Sequence, residues 1–381
     1  MPIKIRPKII SLFCGCGGLD WGFHEAGYQT VWANDINKWA KETFHRNFPD
    51  AVVIDKDIAT INPKKDKRIP DCDLIVGGFP CQDFSVVWKR PGLDGDRGNL
   101  YKHFLRFIDA KNPKAFVAEN VKGLLTANKG RAIEEILKGF EGRNYTVKIQ
   151  LYNFADYGVP QFRERVVIVG VRIDTGFNFV HPAPTHGEGR QFSYKTAGQA
   201  LKGIEKDMVF QKTPKFDRSE IKIADKTREM LEKIPEGGNF QSIPEDDPHY
   251  VKGLISHVYR RINRNEPAKT IIAAGGGGTW GYHYPEPRAL CNRERARLQS
   301  FPDDFEFEGS VPEVRRQIGN AVPPDGVRLL AETLMSLFVG NYERVDLRKI
   351  RNELQTLSIR ERLEYDLPAS EIMEAGKETV A

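Results

Sequence analysis

The chain has 381 residues, 40% of them hydrophobic and 29% charged, which is ordinary for a globular protein and long enough for one large core plus a smaller second domain. No apolar run approaches the roughly 20 residues of a membrane span. The net charge of +5, from 57 Lys and Arg against 52 Asp and Glu, suits a polyanionic partner without requiring one.

Cys14, Cys16, Cys72, Cys81 and Cys291 form an odd, scattered set that argues against a disulfide framework. Cys14-x-Cys16 lacks a second pair at ligand spacing, so no metal is expected. The start, MPIKIRPKIISLF, has a basic head but reaches glycines after a few apolar residues. It reads as a first strand rather than a signal peptide, and a cytoplasmic protein is expected.

In chain order, KIISLF (8–13) reads as a strand closed by CGCGG, LDWGFHEAG (19–27) as a helix, and TVWAND (30–35) as a second strand. NKWAKETFHRNF (37–48) has helical periodicity, AVVIDKDI (51–58) and DLIVGG (73–78) read as strands, and YKHFLRFIDAKN (101–112) as a helix. AFVAEN (115–120), YTVKIQLYN (145–153) and ERVVIVGVR (164–172) are further strands, with the helix RAIEEILKGFEG (131–142) among them. Such alternation predicts an α/β fold with a doubly wound, mostly parallel sheet. Beyond about residue 175 the patterning weakens, and it returns with NRERARLQSF (292–301) and GVRLLAETLMSLFVG (326–340). The expected organisation is therefore a first part over 1–177, an inserted domain over 178–285, a closing part over 286–345, and a charged helical extension over 346–381.

Ligands of open α/β sheets sit beyond the carboxyl ends of the strands. Gly15, Gly17 and Gly18 close the first strand without the G-x-G-x-x-G dinucleotide fingerprint. Asp35, about twenty residues later at the end of the second strand, is placed to accept ribose hydroxyls, or else to cap the next helix. Asp57-Ile58, at the end of the third, offers an acceptor and an apolar face for adenine. An adenosine-containing ligand other than NAD is the expectation.

Cys81 follows the fourth strand through Gly77-Gly78-Phe79-Pro80, a sequence that controls the approach of the chain, with Gln82 and Ser85 as polar neighbours. The setting favours an accessible nucleophile over a small buried hydrophobe. Glu119 ends the next strand, where burial would raise its pKa and let it donate a proton. Gln161, Arg163 and Arg165 alternate, which on a strand places all three on one face, unless the run is a solvated charge stripe.

Taken together, these stretches resemble the C5-cytosine DNA methyltransferases of bacterial restriction-modification systems, from residue 9 to about 340. FCGCGG is similar to the family's first motif, GFPCQDFS to its catalytic loop, ENVKG to its acid motif and QFRER to its Q-x-R-x-R motif. NRERARLQSFPDDF and QIGNAVP resemble the closing motifs. The resemblance implies S-adenosyl-L-methionine as cofactor and a flipped-out cytosine in double-stranded DNA as substrate. It also implies a monomer and, by family analogy, a partner restriction endonuclease.

By match, Cys81 is the nucleophile, Glu119 holds the base, and Arg163 and Arg165 position it. The resemblance assigns Phe13, Cys16, Gly17, Gly18, Asp35, Ile36, Asp57, Ile58, Pro80, Leu100, Asn320 and Ala321 to the cofactor. Ile36 stands where an aromatic often stacks on adenine, and Cys16 replaces a more usual aliphatic residue. Ser85, Lys89, Arg90 and Arg97 fall in a segment like the family's mobile loop and are expected at DNA. Arg260, Arg261 and Arg264, with Trp280, are expected to contact DNA from the inserted domain.

Three alternatives stand beside this reading. An RNA C5-cytosine methyltransferase would carry a late Cys-Phe-Thr segment, and none occurs. A non-catalytic DNA-binding regulator would have lost Cys81 or Glu119. A nicotinamide oxidoreductase would share only the sheet.

Overall fold

The computed structural model describes residues 5–80, 100–204, 223–250, 259–273 and 280–367. Cys81, Ser85, Lys89, Arg90 and Arg97 lie outside the described residues, as does the side chain of Trp280.

Seven strands form the central sheet: β1 (Lys8–Leu12), β2 (Gln29–Asn34), β3 (Val52–Ile54), β4 (Leu74–Gly77), β5 (Ala115–Val121), β6 (Tyr145–Asn153) and β7 (Glu164–Arg172). Their spatial order is β3-β2-β1-β4-β5-β7-β6. The first five pair in parallel, while β7 runs antiparallel to both β5 and β6. Leu74 to Gly77 are all buried, the continuous apolar run of a strand covered on both faces. Winding outward from β1 in one direction and from β4 in the other opens a crevice beyond the carboxyl ends of these two strands.

The helices follow from their apolar spacing. α1 (Gly18–Glu25), α2 (Lys38–Asn47), α3 (Leu100–Lys111) and α4 (Arg131–Glu141) alternate with the strands. In α4, Ala132, Ile133, Ile136, Leu137 and Phe140 recur on one buried stripe, and Phe140 stacks on Phe116 of β5 with ring centroids 4.4 Å apart. Asn37 caps α2 by accepting from the Ala40 N–H at 2.9 Å. The run at 51–58 yields only the short β3, because the side chain of Asp57 turns the chain by accepting from the Ala59 N–H, opening a 3₁₀ turn.

Past residue 175 come α5 (Ala197–Leu201), α6 (Asp225–Lys233), and a two-stranded ribbon of β8 (Arg260–Arg261) and β9 (Trp280–Tyr282). The chain returns through α7 (Asn292–Leu298), α8 (Val311–Asn320) and α9 (Pro324–Val339). α9 packs on α1: Val327, Leu330, Ala331 and Leu334 share a core with Leu19, Phe23 and Tyr28, whose hydroxyl donates to the Ala331 carbonyl at 3.1 Å. Finally α10 (Leu347–Thr356) and α11 (Ile359–Glu364) lie against β6.

Candidate active site

The crevice is built where separate strand ends are stitched together. Asn34, at the end of β2, donates to the carbonyls of Ile54 and Lys56 at 2.9 and 2.8 Å and so ties β2 to the end of β3. The Cys14 N–H donates to the Asn34 carbonyl at 3.0 Å, which brings in the loop after β1. Asp35 completes the seam: one carboxylate oxygen accepts from the Gly15 N–H at 2.9 Å and the other from the Asn37 N–H at 2.8 Å. Burial pushes its pKa up, while those N–H groups and Arg316 pull it down. A carboxylate has about four acceptor positions, so these bonds leave capacity for a ligand. The helix-cap alternative for Asp35 does not hold, since Asn37 takes that role.

Phe13 adopts φ 53°, unusual for a residue with a side chain, and begins a tight turn that continues through Gly15 and Gly17. Gly18 is where the two ends of the sequence meet. A Cβ there would lie 2.3 Å from the Val322 carbonyl oxygen, so only glycine lets α1 start this close to the segment after α8. Cys16 is buried, its thiol donates to the Gln317 carbonyl at 3.7 Å, and burial pushes its pKa up to about 12. Asn320 and Ala321, the last helical residue of α8 and its cap, are thereby brought beside Cys16 to Gly18.

The other expected cofactor residues differ in what they present. Ile36 is 71% exposed, the largest exposure among the large hydrophobic residues of the described chain, and it sits directly past the end of β2. Asp57 is exposed, whereas the Ile58 side chain belongs to the core. Leu100 opens α3 half-buried. Pro80 is exposed past β4, and the Phe79 before it is held from both sides. Its ring is buried near Phe104, and its carbonyl accepts from the Asn120 amide at 2.8 Å.

Glu119 on β5 and Arg165 on β7 are brought together by antiparallel pairing, with Arg165 Nε 2.9 Å from Glu119 Oε1. Their side chains are only 12% and 14% exposed. Burial pushes the Glu119 carboxyl up, and Arg165 and Arg163 partly offset it. A Cβ on Gly78 would lie 2.9 Å from Glu119 Oε2, so the acid rests on the backbone that leads to Pro80. Donor, acid and the chain entering residue 81 therefore share one place.

Two expectations need correction. Gln161, Arg163 and Arg165 do not share a strand face, because β7 begins only at Glu164. Arg163 is buried and donates to the carbonyls of Ile271, Gly319 and Ala321 at 3.0–3.1 Å, so both of its terminal nitrogens are engaged by backbone. It is a positioning residue that ties α8 to the strand bearing Arg165. Gln161 works beside it, accepting from the Ile271 N–H and donating to the Leu298 carbonyl and to Gln299.

Arg261, expected at DNA, is likewise consumed. It donates to the carbonyls of Leu231, Ile234, His283 and Tyr284. Arg260 is half-buried in β8, and Arg264 is half-exposed in the turn that follows. Asn120, Gln299 and Gly78 carry more of the site than their sequence signals suggest. Gly78 is the second of two glycines before Phe79-Pro80, Asn120 lies in ENVKG and Gln299 in NRERARLQSFPDDF, but none of these stretches says what the residue will touch.

Residues 7–336 match the family model of the C-5 cytosine-specific DNA methylases. The chain is 63% identical over 361 residues to the Type II methyltransferase M.NgoFVII of Neisseria gonorrhoeae, covering 94% of both chains. It is 42% identical to the Type II methyltransferase M.BbvI of Brevibacillus brevis, covering 86% of this chain and 90% of that one. Among solved structures, it resembles one described as a DNA modification methyltransferase encoded within an E. coli prophage, with a TM-score of 0.67 and 24% identity over 87% of this chain and 99% of that one. It also resembles the Dnmt2 methyltransferase of S. pombe, with a TM-score of 0.60 and 18% identity over 89% of this chain and 100% of that one. At such identities, these two likenesses are of fold. With a family model spanning most of its length and a relative alike from end to end, the chain belongs to the C-5 cytosine-specific DNA methylases and is a DNA (cytosine-5-)-methyltransferase.

Proposed function

We propose that the crevice binds S-adenosyl-L-methionine and that the protein methylates C5 of a cytosine flipped out of duplex DNA, within a specific sequence, through a covalent bond from Cys81. A stacked base is out of reach of such a site, which is why the base must leave the helix. The fit to the cofactor rests on Asp35, with acceptor positions left for ribose hydroxyls, on the exposed Ile36 for the adenine face, and on open space in front of Gly15. When bound, S-adenosyl-L-methionine supplies the electrophilic methyl group.

The protein's own residues make cytosine reactive. The Cys81 thiolate adds to C6, and the electrons of the C5–C6 double bond move to C5, turning a poor nucleophile into an enamine. Glu119, whose carboxyl burial pushes up, donates its proton to N3 and accepts from the exocyclic amine, so the negative charge that develops on the ring is met by a proton. Arg165 fixes the Glu119 carboxyl and offers its remaining donors to the base, the kind of pre-set electrostatic contact worth roughly 3 kcal/mol. After methylation, a base such as water takes the C5 proton, the C5–C6 double bond re-forms, and the C6–S bond breaks to release the Cys81 thiolate. Arg163 and Gln161 hold the frame.

The buried Glu119–Arg165 pair beside Gly78 carries this reading, because it sets an acid and a cation where the chain enters Cys81. The inserted segment 178–285 is the target-recognition domain in this proposal. A restriction endonuclease cutting the same sequence is the functional partner, as the Type II names of the relatives suggest.

Cys81→Ser tests the nucleophile. The variant is expected to lose methyl transfer while still binding duplex DNA, and 5-fluorocytosine in the target is expected to trap the unaltered protein covalently. Substantial turnover by the serine variant, or no trapped adduct in the presence of the cofactor, sinks the assignment.

A further inference from the structure

β8 and the turn after it carry arginines that the fold uses in opposite ways. Arg261 is buried and gathers carbonyls from two places: Leu231 and Ile234 at the end of α6, and His283 and Tyr284 after β9. It locks these two segments against each other. The same two segments supply the groups that hold Arg264. Glu236, just past α6, accepts from Arg264 Nε at 3.1 and 3.0 Å through its two oxygens, and from the Arg264 N–H at 2.5 Å. The Tyr284 ring, stacked on His283 with centroids 4.8 Å apart, lies under the guanidinium, whose carbon is 4.8 Å from the ring centre. The Arg264 carbonyl accepts from the Gly198 N–H at 2.9 Å.

One edge of the guanidinium, one face and the backbone are therefore fixed, while the side chain remains 50% exposed. Among the described residues, no hydrogen bond engages its two terminal nitrogens, Nη1 and Nη2. We propose that Arg264 reads a guanine in the recognition sequence, Nη1 and Nη2 donating to O6 and N7 of one base in the major groove. This rests on the reading of the protein as a methylase of cytosine in duplex DNA.

Two features favour a base over a phosphate. Glu236 already neutralises much of the cation, which weakens its attraction to a polyanion. The buttressing also fixes a plane, which matters for two coplanar acceptors on a base edge and little for a phosphate met by swinging side chains. Most of the entropy of ordering a long side chain is spent before DNA arrives.

The test starts by mapping the methylated sequence of the unaltered protein by bisulfite sequencing. Each guanine of that target is then replaced in turn by 7-deazaguanine, which lacks the N7 acceptor, and kcat/KM is measured. One position is expected to lower kcat/KM by roughly 5- to 150-fold. Arg264→Ala and Arg264→Lys are expected to show that loss on natural DNA, no further loss on the deaza duplex, and relaxed choice at that base pair. Lysine keeps the charge but not the fork, and a thermal melt of each variant checks that it folds.

An even fall across all sequences, with the target unchanged, means a phosphate contact and overturns the proposal, as does unchanged activity and target. Failure of the unaltered protein to methylate cytosine in DNA would sink the reading beneath it. Methylation that is indifferent to Arg264 sinks only this inference.

Discussion

A single carboxyl decides much of the chemistry. Glu119 sits between burial, which favours its protonated form, and the Arg165 guanidinium, which favours the ionised one; burial is the larger effect. Its proton is therefore retained to higher pH than on an ordinary carboxyl, and is lost as pH rises through that raised value. Glu119→Gln keeps the shape and an amide donor but cannot follow the charge developing on the base. Methyl transfer in this variant is expected to fall by about 10²- to 10⁴-fold with DNA affinity retained. In pH–rate profiles, the loss of activity that follows Glu119 ionisation should be absent from the glutamine variant. An identical alkaline limb in both proteins means the group titrating there is another one.

At the scale of elements, the cofactor crevice depends on how closely α1 can approach the segment after α8. Gly18 sets that distance, since an added Cβ would fall 2.3 Å from a backbone oxygen that cannot move aside as a flexible side chain would. Gly18→Ala is expected to push Ala321 and Val322 away, weakening S-adenosylhomocysteine binding at least tenfold by calorimetry while the sheet stays folded by circular dichroism. Unchanged affinity would show that the two segments are not coupled at the ligand.

The same junction explains Arg163. A loop and a helix end each have carbonyls without partners inside their own elements, and one buried guanidinium satisfies three of them. Alternation in QFRER marks the residue as special but does not say that backbone, rather than a base, is its partner.

Across the whole molecule, buried ion pairs join the C-terminal segment to the central sheet and to α4. Asp366 pairs with Lys148 of β6 at 2.7 Å, with the side chains 7% and 5% exposed, and also accepts from the His181 N–H at 3.0 Å. Arg362 reaches the buried Glu141 of α4 and the Val147 carbonyl. Asp366→Ala leaves a buried ammonium without its partner, a change that typically costs about 3–5 kcal/mol. A fall in Tm of several degrees is expected, and an unaltered urea midpoint would show that the extension adds nothing to stability. His181, pushed down to about 4 by burial, adds no charge to the network near neutral pH.

The order of strands and helices, the parallel sheet, and the sites of Asp35 and Glu119 at strand ends were all legible in the chain, because apolar period and turn residues act over short distances. Helix α8 was not, since its buried Val314, Gln317 and Ile318 include a polar residue that breaks the apolar pattern. Spacing also could not tell which arginine faces a ligand. Arg163, Arg261 and Arg264 have the same chemistry in sequence, and they differ only in which carbonyls, carboxylates and rings the tertiary fold delivers to them from 20 to more than 150 residues away. The sequence by itself determined which groups are available and at which strand end each stands. Only the packed structure decided which of those groups remain unspent once buried backbone has claimed its partners, because a buried carbonyl must be satisfied before any side chain is left for a ligand.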